Sequence, residues 1–209
     1  MKLQIMKQDK EGWIDLIVHL IILLIVPLLL VSIVGVIFAF AFAGIHHDFA
    51  AVIIVGISMT VGFILFPYLL AKKIYNPRLN DLGLKQFTVT EVIIQIAAIT
   101  ALYLFLSTKD YSFVHLLMIS LQMLIVAATE EFWARGIICY MLRKIVDNKW
   151  FVLIVSSLAF AFLTHLNEPL LDNLLYRLPG SFVIGYIFLQ TNNLRYAILF
   201  HFAYNLINY

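Results

Sequence analysis

Charge is scarce in this chain: Lys, Arg, Asp and Glu together make 12% of its 209 residues. About a quarter is usual for a soluble domain, so too little polar surface exists here to face water. The complementary figures are 63% hydrophobic residues and a mean hydropathy of +0.99. They predict an all-α, polytopic transmembrane helical bundle. Cysteine is nearly absent. Cys139 alone excludes an internal disulfide and any Cys-rich metal site, and its place in an apolar run reads as inert packing. Long alternating strands are missing, which disfavours a transmembrane barrel. Internal repeats and low-complexity segments are missing too. The net charge of +2 gives no reason to expect a nucleic-acid partner. The basic residues stand in short loops, where they set topology.

What is present is a series of apolar runs. Lys2, Lys7 and Lys10 precede a run from Trp13 to about Ile45, too long for the core of a signal peptide. It is expected to be an uncleaved first helix, kinked at Pro27. The turn His46-His47-Asp48 follows, then a second span from Phe49 to Leu70, ending at Lys72-Lys73. A loop from Tyr75 to Thr90 leads to a third span from about Glu91 to Leu106, closed by Thr108-Lys109-Asp110. The fourth run, roughly Phe113 to Ile145, is followed by a fifth from Trp150 to His165. A sixth runs from about Asn173 to Gln190, with an interruption expected at Pro179-Gly180. A short last helix ends at Asn208. Basic residues alternate between the turns, giving about seven spans with a cytoplasmic N-terminus and an external C-terminus. The terse loops point to a multi-pass protein of a bacterial cell membrane, without a soluble appendage.

The fourth run carries Ala127-Ala128-Thr129-Glu130-Glu131-Phe132-Trp133-Ala134-Arg135-Gly136. Each carboxylate inside hydrocarbon costs about 2.5–3.5 kcal/mol on insertion scales, so two together demand a reason. Glu131 and Arg135, four apart, share a helix face, and Arg135 can keep Glu131 ionised. Glu130 points about 100° away and stays available. The bland alternative is a buried structural ion pair beside a protonated glutamate. Two more polar clusters interrupt apolar helices: His165, and His201 with Asn205 one turn on. Glu130 with His165 can deprotonate a water, and His201 with Asn205 can donate to a developing oxyanion. Glu130, His165 and His201 are also candidate ligands for a divalent metal such as zinc. There is no His-Glu-x-x-His, so that reading rests on composition alone. His19 and His115 read as packed or interfacial, and His46 and His47 as solvated. Glu168 is a loop residue and a weak ligand candidate, and Arg177 snorkels.

In this order the clusters resemble the CPBP family of CAAX prenyl proteases and bacteriocin-processing (Abi) enzymes. That family is marked by Glu-Glu-x-x-x-Arg, Phe-x-x-x-His and His-x-x-x-Asn/Asp on successive membrane helices. The first motif is complete in Glu130 to Arg135, followed by Gly136, and the third in His201 to Asn205. The second departs, because Ala161 stands four before His165, with Phe160 and Phe162 on either side. The phrase Asp81-Leu82-Gly83-Leu84 is a softer echo. The resemblance covers roughly Asn80 to Asn208. It divides the chain into an N-terminal segment of two spans (1–79) and a catalytic core (80–209).

The resemblance implies an intramembrane endopeptidase in which Glu130 and His165 activate water. Glu131 and Arg135 would support that pair, and His201 and Asn205 would hold the oxyanion. The family has been described both as metalloproteases and as metal-independent glutamate proteases, and the residues here favour the metal-free form. The expected partners are a membrane-associated or lipid-modified peptide and the bilayer itself, with Gly180 and Gly185 lining a lateral entry gap. Bacteriocin maturation and self-immunity are the roles considered. A non-catalytic immunity or binding protein is the alternative, and a small proton- or cation-coupled transporter the third reading. One geometric difficulty arises. Measured along their helices from the intervening basic loop, Glu130 and His165 lie about 20 Å and 24 Å deep, whereas His201 lies only about 9 Å beyond Arg195. A common site then calls for tilted helices or a re-entrant sixth segment.

Overall fold

The computed structural model describes residues 10–86, 88–106 and 112–208. The lysines Lys2 and Lys7 and the turn Thr108-Lys109-Asp110 lie outside them. Among the described residues there are seven helices and no strand. In chain order these are α1 (Lys10–Ala41), α2 (His47–Tyr75), α3 (Val89–Leu106), α4 (Phe113–Ile145), α5 (Lys149–Leu163), α6 (residues 170–191) and α7 (Leu194–Ile207). Three stretches are long and apolar enough to cross a membrane: Ile14–Ala41, His47–Tyr75 and Phe113–Ile145. Helix α5 is apolar but shorter.

Polar residues mark the ends. Asn148 and Asn193 cap α5 and α7, accepting from Trp150 N at 2.9 Å and Arg195 N at 3.2 Å. Asn76 and Asn192 end α2 and α6 in the left-handed conformation, each at φ 46°. Pro27 lies inside α1 without ending it. The interruption expected at Pro179-Gly180 falls earlier, as a π-turn over Asn173–Arg177. Pro179 sits in the first turn of the α-helical stretch that follows, Leu178–Thr191, where its missing N–H is tolerated.

Large aliphatic side chains such as Ile21, Ile25, Leu29 and Ile33 stay exposed along α1. Lipid is as apolar as they are, so close packing rather than burial joins these helices. Gly62, in a π-turn of α2 (Thr60–Leu65), shows how close. A Cβ there would lie 2.7 Å from the Pro27 carbonyl oxygen and strike the Val31 side chain. On the other side of the core, the Trp133 indole N–H of α4 donates to the Leu23 carbonyl of α1 at 2.7 Å. Leu16, Leu23, Met59 and Phe63 thus share one core with Phe132 to Leu142.

The loop phrase from Asp81 to Leu84 packs against α4, α6 and α7. The Arg78 guanidinium donates to the Asp81 carboxylate and holds it below the usual carboxylate range. Gly83, at φ 80°, presents its carbonyl to Leu194 N at 2.9 Å. Any Cβ at Gly83 would stand 2.6 Å from the Phe188 ring. Leu82 is fully buried, with its carbonyl under Gly136 of α4. At the N-terminus of α3, Glu91 accepts from Tyr196 Oη at 2.9 Å, Asn193 Nδ2 at 3.2 Å and Arg195 Nη2 at 3.2 Å, tying α3 to the start of α7.

Candidate active site

Glu130 and Glu131 are the last residues of the α-helical part of α4, and a π-turn over Phe132–Ile138 follows them directly. Such turns recur at functional sites because one extra residue re-aims the side chains around it. Glu131 and Arg135 are both fully buried and pair through Oε2 and Nε at 3.1 Å. Arg135 then spreads its remaining donors over two neighbouring helices. Nη1 donates to Ser156 Oγ of α5 at 3.1 Å, and Nη2 to Ser181 O and Oγ of α6 at 2.8 and 2.6 Å. Ser157 Oγ donates to the same Ser181 carbonyl at 3.3 Å. One guanidinium therefore fixes three helices, using the fork geometry that a lysine lacks.

The other oxygen of Glu131 meets α7. Its Oε1 lies 2.9 Å from His201 Nδ1. With Oε2 taken by Arg135, Oε1 serves as acceptor and Nδ1–H as donor, which turns His201 Nε2 toward Glu130 at 3.8 Å from Oε2. His201 thus bridges both glutamates. The depth difference along the helices is absorbed, since the third motif reaches the first directly.

A cavity of about 600 Å³ opens beside this network, lined by Glu130, His165, His201 and Asn205 together with Met123, Val126, Glu168, Asp172, Tyr176, Arg177, Tyr204 and Asn208. Glu130 and His201 are only 6% and 5% exposed, so the cavity reaches polar groups otherwise enclosed by the bundle. His165 lies just beyond the end of α5, half-buried. Glu131 and Arg135 stand behind the cavity wall, not on it. Of the six residues singled out from sequence, four line the cavity and two hold it from behind.

Phe160 resolves the departure in the second motif. Its ring meets His165 at 6.1 Å and His201 at 5.5 Å between centroids, both edge to face, and Arg135 Cζ lies 5.5 Å over its centroid. The chain leaves α-helical pitch at Thr164, so a phenylalanine five before the histidine reaches it. Gly185 is a correction. It does not border a lateral gap; a Cβ there would stand 2.7 Å from Leu153 Cδ1 and 3.0 Å from Arg135 Nη1, so its hydrogen makes room for the guanidinium. Gly180 does border an apolar groove, of about 390 Å³, together with Tyr176, Val183, Phe200 and Tyr204. Arg177, read as snorkelling, instead pairs with Glu168 at 3.2 Å on the cavity wall.

Gly185→Ala follows as a sharp test of this packing. Arg135 is pinned by hydrogen bonds on every side and cannot retreat, so the added methyl is expected to cost about 1–3 kcal/mol. Thermal unfolding in detergent would read it, and a wild-type melting temperature would show the space to be real.

His19 and His115 are packed as expected, His19 against Tyr75 Oη at 2.9 Å and His115 against Asp48 at 3.0 Å. His46 and His47 are exposed. Cys139 is buried and carries no second thiol beside it. Among the described residues no three His, Cys, Asp or Glu side chains gather closely enough to hold a metal ion, Glu130, His165 and His201 included. Sequence reasoning passed over Ser156, Ser157, Ser181 and Asn173. The first two were visible as hydroxyls inside an apolar run, but their partner lies on another helix.

Long apolar helices, a buried carboxylate–guanidinium–imidazole network and a polar cavity against it thus come together in one region of the chain. Residues 112–207 match the family described as type II CAAX prenyl endopeptidase Rce1-like. That family is one of proteases, and the three long apolar helices support an integral membrane protein. No curated protein and no solved structure matches the chain.

Proposed function

We propose that the protein hydrolyses a peptide bond in a membrane-associated or lipid-modified peptide, with a water activated by Glu130 and His165 in the catalytic core of residues 80–209. The observation that carries this reading is the convergence of Glu130, His165, His201 and Asn205 on one cavity from α4, the end of α5 and α7. Glu130 takes a proton from the water while His165 orients it by accepting its second hydrogen. The hydroxide oxygen adds to the scissile carbonyl. His201, in its doubly protonated form between the two glutamates, and the Asn205 amide donate to the oxyanion. Glu130 then returns the proton to the amide nitrogen as the C–N bond breaks, releasing an amine and a carboxylic acid, which ionises in water. Glu131 and Arg135 hold His201 in place throughout. Maturation of a secreted peptide and immunity to a bacteriocin are two uses of this same chemistry.

No step above requires a metal. Cleavage of a lipid-modified peptide by the purified protein in liposomes, followed by mass spectrometry of the fragments, tests the reading. EDTA or 1,10-phenanthroline is expected to change the rate by less than about twofold. Loss of activity restored by zinc would move Glu130, His165 and His201 into ligand roles. Absence of any cleavage, with protection from a pore-forming peptide retained, would instead favour a binding protein.

A further inference from the structure

We propose that Asn173 is the positioning residue for His165, a role resting on the reading of His165 as the group that orients the water. His165 sits in the turn between α5 and α6, outside regular helix, so the peptide ahead of it cannot fix its ring. Two hydrogen bonds hold its backbone instead. The His165 carbonyl accepts from Glu168 N at 3.1 Å and from Asn173 Nδ2 at 3.0 Å. Asn173 is only 3% exposed and is the first residue of the π-turn Asn173–Arg177. It is itself anchored, its backbone N–H donating to the Pro169 carbonyl at 3.2 Å.

Its other amide atom is the informative one. Asn173 Oδ1 is buried and has no hydrogen-bond partner among the described residues. A buried acceptor left empty carries the full cost of its lost hydration, so such an atom calls for a donor. The His165 ring likewise forms no hydrogen bond among the described residues; it is touched by the edge of Phe160. The cavity-facing ring and the buried oxygen are linked through one amide, whose nitrogen already grips the His165 backbone. Turning the ring toward Asn173 lets an imidazole N–H donate to Oδ1. The opposite ring nitrogen then carries the bare lone pair that accepts from the water. Asn173 would thus select the tautomer as well as the orientation, a division of labour in which one ring nitrogen is set by the partner of the other.

Three variants in the liposome cleavage assay test this, with membrane levels matched. Asn173→Ala and Asn173→Leu are expected to lower kcat by about 10–100-fold, as misplacement of a reacting group does, with KM within twofold of wild type. Asn173→Asp, which keeps an acceptor at the same place, is expected to retain a kcat at least fivefold above that of Asn173→Leu. Leu and Asp are near-isosteric with Asn, so they carry the test if the alanine variant fails to fold. Wild-type kcat in the leucine variant would overturn the assignment. So would an aspartate variant no better than leucine, or a KM that rises in step with the loss. Glu130→Gln in the same assay separates the two levels. If it leaves cleavage intact, the reading of the whole site falls. If it abolishes cleavage while Asn173→Leu behaves as wild type, only the role of Asn173 falls.

Discussion

Glu130→Gln is expected to lower peptide-bond cleavage by about 10²- to 10⁴-fold, the usual worth of a positioned general base. The amide keeps the shape of the carboxyl, so KM and abundance should stay near wild type. Glu130 makes its nearest ionic approach to His201 at 3.8 Å and holds no helix to another, unlike Glu131. The loss therefore belongs to chemistry and not to folding. The same substitution divides the biological roles. If resistance of producing cells to a bacteriocin disappears with cleavage, immunity depends on proteolysis. If resistance survives at matched abundance, the protein protects by binding. Retention of more than a tenth of wild-type turnover would remove Glu130 from the role of base.

The largest stability effect is expected at Arg135. Removing one partner of a fully buried ion pair leaves the other charge uncompensated and costs about 3–5 kcal/mol. Arg135→Met does this to Glu131 and also takes the guanidinium donor from Ser156 and the Ser181 hydroxyl, leaving the Ser181 carbonyl with Ser157 alone. The expected result is a protein that unfolds in mild detergent and accumulates poorly in membranes. Glu131→Leu combined with Arg135→Met removes both charges and should recover part of that stability. It should recover no activity, because His201 then loses its only strong acceptor at Nδ1. Unfolding midpoints for the two singles and the double decide the matter. Additive losses would mean that the pair is not coupled, and that Arg135 is held by its serines alone.

The sequence made the bundle legible because membrane helices announce themselves twice, by apolar length and by polar residues at their ends. Seven apolar runs became seven helices, with ends displaced by a few residues. The Glu131–Arg135 pair was legible for the same local reason: four residues of spacing is a property of one helix. Distances between helices were not. Nothing in the spacing of Ser156 or Ser181 says that one guanidinium reaches both. Gly185 looked like a gap because a glycine does not declare which neighbour needs its space. Phe160 was one residue out of register because the break in helical pitch at Thr164 leaves little trace in hydropathy. Depth along each helix, computed as if all stood upright, placed His201 far from Glu130, and the structure closes that separation.

The indole of Trp133 has a consequence for how the molecule is assembled. Its N–H finds an acceptor on Leu23, 110 residues earlier in the chain. Synthesis runs from the N-terminus, so α1 and α2, which cross closely at Gly62, are made before the glutamate helix. The glutamate helix arrives later, carrying a donor, two carboxylates and a guanidinium that hydrocarbon alone would reject. These two earlier helices offer a protein surface against which that cargo can settle. The glutamate helix is thus received by helices made before it.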